Sequence, residues 1–241
     1  MKNEQFLTII LVLQSGAVIH VGEGKGVSAL SGALNKLKRS KLKIVTIDIA
    51  NTYYSWIHQE FPNVKIVFDH FHVIKLINDK VDKVRRRVTT KLNIIQQKQL
   101  NVLRFSCLKN NENLPEDAKI ILRNMRGEFQ ELGDAYMFKE ALRAIYSRAQ
   151  TSYHARIAFH RWIKLAKETQ IPELRTMAKT LRDKIEGIIS FWTFRHISNA
   201  SMEGFNNKIR WLIKQAYGFR DSEYFKLKIY QLPEISSVKE L

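Results

Sequence analysis

The sequence predicts an α/β fold interrupted by a large all-helical block. Three observations carry that prediction. Short β-rich apolar runs alternate with helical spacings over residues 6–68, the middle of the chain recurs in apolar residues at intervals of three and four, and a basic helical segment closes the chain. In order, Phe6–Leu13 and Ala17–Val21 are strand-like runs joined by Gln14-Ser15-Gly16, which predicts an antiparallel hairpin. A loop over Gly22–Gly26 leads into helical spacing over Ser28–Leu37. Lys43–Ile47 is a short strand that ends at Asp48. Thr52–Phe61 reads as a helix stopped near Pro62, and Val64–Phe68 is a second short strand, ending at Asp69. From there Val73, Ile77, Val81, Val84, Val88, Leu92 and Ile95 mark one long amphipathic helix. Further helical patterns cover about 116–131, 135–148, 151–169 and 173–194, with breaks at Asn110–Pro115 and before Pro172. Ser201–Lys214 is helical, breaks at Tyr217-Gly218, and is followed by a short helix from Ser222.

Composition narrows the function. The 241 residues carry 40 Lys and Arg against 23 Asp and Glu, a net charge of +17, and such an excess points to a polyanionic partner, nucleic acid above all. No apolar run approaches the roughly 18 residues of a spanning helix. The Phe6–Leu13 run is too short and too quickly followed by a turn for a signal peptide, so a cytoplasmic, nucleoid-associated protein without a membrane partner is expected. A single cysteine, Cys107, excludes an internal disulfide framework and a cysteine-rich zinc site.

Candidate chemistry sits at strand ends, where an α/β sheet collects its sites. Asp48 and Asp69 each close a short strand, and residues 1–47 contain no aspartate. Each has two readings: it caps the helix that follows, or its carboxylate holds a hard divalent cation. Beside Asp69 stand His70 and His72. His72 either orients Asp69 or contacts a phosphate, or it is a satisfied buried histidine. Glu203 opens the last long helix, where it is either a surface glutamate favoured by the helix dipole or a distant further metal ligand. Asn206, Asn207, Lys208, Arg210 and Lys214 accompany it, with Arg220 beyond. Residues 73–110 hold ten Lys and Arg, Lys75, Lys83, Arg85, Arg86 and Arg87 among them, against Asp79 and Asp82. That helix reads as a solvated face or as a surface that contacts DNA phosphates. Trp192, Trp211 and Tyr217 are either core residues or stacking platforms for unpaired bases.

Two stretches, 45–78 and 196–229, resemble the transposases of the ISL-three family of bacterial insertion sequences. The motifs are Asp69-x-Phe71-His72-Val73-Ile74-Lys75, then Glu203-Gly204-x-Asn206-Asn207-Lys208-Ile209 and Tyr217-Gly218-Phe219-Arg220. The resemblance implies a ribonuclease-H-like mixed sheet with a large all-helical insertion before the last catalytic helix. It divides the chain into a first core part (1–72), the insertion (73–195) and a C-terminal core part (196–241). It further implies an Asp-Asp-Glu triad working with Mg²⁺ or Mn²⁺. Asp48 corresponds to the second Asp, Glu203 to the glutamate, and Asp69 with His72 to the family's Asp-x-x-His signature. The implied reaction is cleavage of transposon-end duplex DNA by water followed by strand transfer from a 3′-hydroxyl, on an oligomer assembled on DNA. The first Asp of the triad would fall before Met1, and within the chain ahead of Asp48 only Glu4 and Glu23 are available as acids. The family's N-terminal zinc-ribbon and helix-turn-helix region is not among these residues, and Gln215 stands where many members have a basic residue. The expectation is therefore a truncated transposase, inactive alone. A non-catalytic DNA-binding remnant that inhibits or partners intact transposase is the alternative, and a structure-specific nuclease a third reading.

Overall fold

The structure is a computed structural model that describes residues 6–49, 52–102, 116, 129–194 and 200–237. The expected break at Asn110–Pro115 lies outside the described residues. So do Cys107 and most of the helix expected over 116–131. The chain forms two compact units, one of residues 1–47, 51–66 and 196–241 and the other of residues 48–50 and 67–195. The α/β class holds, with helix dominant. The four described strands form two separate two-stranded ladders, β1 with β2 and β3 with β4, where a single mixed sheet was expected.

In the first unit, β1 (Leu7–Leu11) and β2 (Val18–Glu23) form the antiparallel hairpin. Gly16 takes φ +70 in the turn, where Val12 N–H donates to the Ala17 carbonyl at 2.8 Å. Leu7, Ile9 and Leu11 alternate onto one face, as period-two spacing requires, and pack against Val21, Phe205, Ile229 and Leu232. A 3-10 helix, Val27–Ala33, lies on β2 and runs into α1 (Leu34–Arg39). Gly22 permits that approach, since a Cβ there would sit 1.9 Å from the Ala29 carbonyl oxygen. Then come β3 (Ile44–Ile47), α2 (Tyr53–Glu60) and β4 (Lys65–Phe68), whose last two residues are counted with the second unit. Lys65 N–H donates to the Lys43 carbonyl at 2.9 Å. The described C-terminal helices, here α9 (Ala200–Gln215) and α10 (Ser222–Ser237), complete this unit. The helix expected to be short after Ser222 runs for 16 residues, through Pro233. Asp221 caps it, accepting from Glu223 N–H at 2.9 Å and Tyr224 N–H at 3.1 Å. The Tyr230 hydroxyl accepts from Val21 N–H at 3.0 Å and fastens α10 to β2.

The second unit is helical: α3 (His70–Thr89), α4 (Ile94–Val102), α5 (Gln130–Arg148), α6 (Ser152–Glu168), α7 (Pro172–Asp183) and α8 (Ile185–Thr193). The single helix expected from Val73 to Ile95 is two. Asn93 caps the second by accepting from Gln96 N–H at 3.0 Å, while the Gln96 side chain accepts from Asn93 N–H at 3.4 Å. The gap expected between 131 and 135 is absent, because α5 runs unbroken through the buried Gly133. The helix expected over 173–194 is divided at Lys184, whose φ of −119 and ψ of 16 end α7. Val73, Ile77, Val81 and Val84 of α3, Leu142 of α5, Phe159 of α6, Leu181 of α7 and Ile188 of α8 are buried. Trp162 and Trp192 are buried too, with their indole N–H groups donating to the carbonyls of Phe138 at 2.9 Å and Ala149 at 2.8 Å. Burial rules out the stacking role weighed for Trp192.

Candidate functional site

Asp48 follows β3 directly and belongs to the helical unit. Its neighbour Ile49 is fully buried, and the Lys184 ammonium donates to the Ile49 carbonyl, so the backbone under Asp48 is held on both sides. The carboxylate itself points outward, about half exposed, and His72 Nε2 lies 3.0 Å from its Oδ1. The capping reading of Asp48 fails, because α2 has Thr52 at its N-cap and no side-chain cap hydrogen bond. His72 sits in the first turn of α3, and its Nδ1 is buried without a hydrogen-bond partner. A proton on Nε2 directed at Asp48 satisfies that arrangement best, and His72 thus orients Asp48.

Asp69 has a different place. It is buried, sits at the N-cap of α3 and accepts from Phe71 N–H at 2.9 Å, which is the capping reading. His70 Nδ1 is 3.5 Å from the same oxygen. Burial lowers the His70 pKa below its ordinary value, against the opposing pull of Asp69. The His70 ring is enclosed by Phe71, Tyr146 and Phe191, with centroids 4.1, 5.7 and 5.1 Å away. Tyr146 is partly buried, and its hydroxyl oxygen is buried without a hydrogen-bond partner. Burial, and secondarily the Asp69 charge, raises its pKa far above the usual phenol range. Sequence reasoning missed Tyr146, which lies 77 positions from Asp69 with no local signal (146 − 69).

Glu203 lies in the first turn of α9 and is exposed. At about 100° per residue, Arg210, Lys214 and Asn207 fall within roughly 40° of it, and Trp211 about 80° away. Phe205 is buried on the opposite face, and Ile209 and Leu212 pack there beside it. Asn206, Asn207, Lys208, Arg210, Lys214 and Arg220 are all exposed, and Arg210 donates to Asn207 Oδ1 at 3.1 Å. Glu203 and Asp48 belong to different units.

The arginine run on α3 divides in a way its sequence does not show. Arg85 is buried and pairs with Asp82 at 2.9 Å, and Arg86 shares the same carboxylate. Burial pushes the Asp82 pKa up, and the hydrogen bonds from Arg86 and Arg85 outweigh it, leaving the group below its ordinary value. Arg87 bridges Glu173 of α7 at 2.9 Å and Glu131 of α5 at 2.6 Å. Arg85 and Arg87 are thus tied into the helical packing, which corrects their assignment to a phosphate-facing surface. Lys75 and Lys83 are exposed, and Arg86 keeps much of its guanidinium in solvent.

Among the described residues no three His, Cys, Asp or Glu side chains form a cluster able to hold a metal ion. The exposed carboxylates of Asp48 and Glu203 are hard oxygen donors of the kind Mg²⁺ accepts, whereas the capping Asp69 already spends its oxygen on α3. No described helix is long and apolar enough to cross a membrane.

A family profile described as transposase, of the ISL-three DDE kind, matches residues 1–229. Among curated proteins, the chain is 28% identical over 238 residues to the transposase for insertion sequence element IS1001 of Bordetella parapertussis, covering 95% of this chain and 57% of the relative. It is 24% identical over 251 residues to the transposase for insertion sequence element IS1557 of Mycobacterium tuberculosis, covering 92% of this chain and 55% of that protein. The chain therefore spans a little over half the length of these relatives. No solved structure matches it.

Proposed function

The chain belongs to the ISL-three transposase family, and from that premise we propose that it carries Asp48 and Glu203 as acidic members of a metal-dependent DNA phosphoryl-transfer centre. The observation that supports this most is the Asp48–His72 pair. An exposed carboxylate at a strand end is oriented by an imidazole 3.0 Å away instead of capping a helix. Asp48 and Glu203 would each offer a hard carboxylate oxygen to Mg²⁺ or Mn²⁺, which when bound would supply positive charge to an in-line displacement at phosphorus. His72 keeps Asp48 aimed outward. Asp69 sets the start of α3 and so fixes where His72 stands. The exposed Lys75, Lys83, Arg86, Arg210, Lys214 and Arg220 neutralise phosphates of the duplex, with affinity falling steeply as salt rises. The proposed substrate is the end of an insertion sequence, cut and then joined to target DNA, on a ribonuclease-H-like core with residues 73–195 as its helical insertion.

The test is cleavage of a labelled element-end duplex with Mg²⁺ or Mn²⁺, using this chain alone and joined in frame to the coding sequence upstream. Asp48→Asn and Glu203→Gln should each abolish cleavage while keeping DNA affinity. Normal cutting by either variant would refute its assignment. Binding without cleavage in both preparations would point instead to a non-catalytic DNA-binding role.

A further inference from the structure

Helix α9 ends in a Schellman arrangement. Gly218 N–H donates to the Ile213 carbonyl at 2.9 Å, and Tyr217 N–H reaches the Lys214 carbonyl at 3.2 Å. The residue at the left-handed position of this motif is Tyr217, with φ +50. Glycine is the usual occupant, because a Cβ there crowds the backbone. Tyr217 recovers nothing through packing: its side chain is 101% exposed. A large aromatic group held out in solvent on a strained backbone calls for a binding role.

One helical turn and a half earlier, Trp211 is 58% exposed, while Trp162 and Trp192 are buried and Trp56 is half-buried. Along the helix Lys208 and Lys214 stand three positions either side of Trp211, and Arg220 follows Tyr217 by three. From Ala200 to Arg220 the chain carries Lys208, Arg210, Lys214 and Arg220 against the single acid Glu203. Exposed π faces interleaved with cations are what a nucleic-acid strand with unpaired bases requires, since every base offers a π face and every linkage an anion. A duplex hides its base faces in stacking and would leave the two rings idle. An apolar protein partner would not call for four cations.

We infer that Trp211 and Tyr217 form a stacking platform for unpaired bases of a single strand, whose phosphates are held by Arg210, Lys214 and Arg220. The inference rests on the reading of Glu203 given above and deepens it. Trp211 lies about 12 Å along α9 from Glu203 at 1.5 Å per residue. At about 3.4 Å per stacked nucleotide, the strand lies with its unpaired bases roughly three nucleotides from the phosphodiester presented to Glu203.

The experiment uses the whole chain in EDTA, so that no cleavage is involved. Tryptophan fluorescence and fluorescence anisotropy follow titration with a short oligothymidine and, separately, with a blunt duplex. The oligothymidine should quench Trp211, and Trp211→Ala should remove that quenching and weaken single-strand affinity by about fivefold or more. Trp211→Phe, which keeps a stacking face, should recover most of the affinity without the quenching. Tyr217→Gly should weaken the same binding, and duplex affinity should stay within about twofold in all three, since phosphate contacts carry it. Unchanged single-strand affinity in Trp211→Ala and Tyr217→Gly, or an equal loss on the duplex, would overturn the platform. The two readings fail separately. A chain that binds single strands through Trp211 but never cuts with Mg²⁺ loses only the catalytic assignment. A chain that cuts but ignores both aromatics loses only the platform.

Discussion

Replacing Tyr217 by glycine should make the protein more stable, the reverse of what removing a large aromatic side chain ordinarily does. In its present place Tyr217 holds φ +50 at the residue that terminates α9. A side chain in this left-handed region costs roughly 1–2 kcal/mol. Glycine removes that cost but adds about 0.5–1 kcal/mol through its greater freedom in the unfolded chain. Because the ring is fully exposed, no burial is lost. The balance is a gain of about 0.5–1 kcal/mol, which raises the midpoint of thermal unfolding by about 2–5 °C for a cooperative unit of this size. Circular dichroism melts of the parent and of Tyr217→Gly at neutral pH measure it, with Tyr217→Ala as the control that removes the ring but keeps the Cβ and its strain. The reasoning is refuted if Tyr217→Gly melts several degrees lower, or if Tyr217→Ala gains as much as Tyr217→Gly. Either result would mean that the ring, not the backbone, governs the end of α9.

The remaining predictions concern the helical unit. His72→Ala should reduce metal-dependent cleavage about 10–100-fold by loosening Asp48, with DNA affinity unchanged; single-turnover nicking alongside an equilibrium binding assay separates the two effects. Arg85→Ala should destabilise the helical unit by about 1–3 kcal/mol, since it removes the buried partner of Asp82 and leaves Arg86 alone on that carboxylate, whereas Lys83→Ala should leave stability within about 0.5 kcal/mol and only shallow the salt dependence of DNA binding. Acid should act on the same pair. The folded-state pKa of Asp82 lies below its ordinary value of 3.8, so the unfolded chain takes up the proton first and the stability it contributes is lost as pH falls below that value. Asp82→Asn should flatten this part of the acid limb in urea melts between pH 3 and 5.

What the residues disclosed, and what they hid, follows from the range of the forces involved. The hairpin, the two short strands ending at Asp48 and Asp69, and the start of α9 all depend on neighbours within a few positions, and period-two and period-three-to-four spacing reports such neighbours. The break between α3 and α4 had a local signature as well: Asn93 and Gln96 form a reciprocal cap, which the continuing apolar spacing through Leu92 and Ile95 obscured. The break at Lys184 has no such signature; that residue reaches a carbonyl 135 positions away (184 − 49), a partner no window of sequence contains. The same holds for the arginines of α3. Three adjacent cations read alike along the chain, but successive residues on a helix point about 100° apart. One consequently faces the interior and Asp82, one faces solvent, and one meets acids from two other helices. His72 was legible as a member of a cluster beside Asp69, yet its hydrogen bond goes to Asp48, 24 positions earlier (72 − 48).

The three-residue visit that the chain pays to the helical unit at Asp48–Ala50 decides how this protein can be taken apart. A fragment cut out at the obvious boundary, Val67 to Arg195, would leave behind the fully buried Ile49, together with the carbonyl that receives Lys184. Such a fragment lacks a buried isoleucine and the carbonyl to which Lys184 donates, and losing the isoleucine packing alone costs about 2–5 kcal/mol. Its failure to fold would say nothing about the autonomy of the helices. A fair dissection carries the Asp48–Ala50 segment along, as a tethered peptide or by circular permutation, and in doing so moves one half of the proposed acidic pair into the part that is cut away.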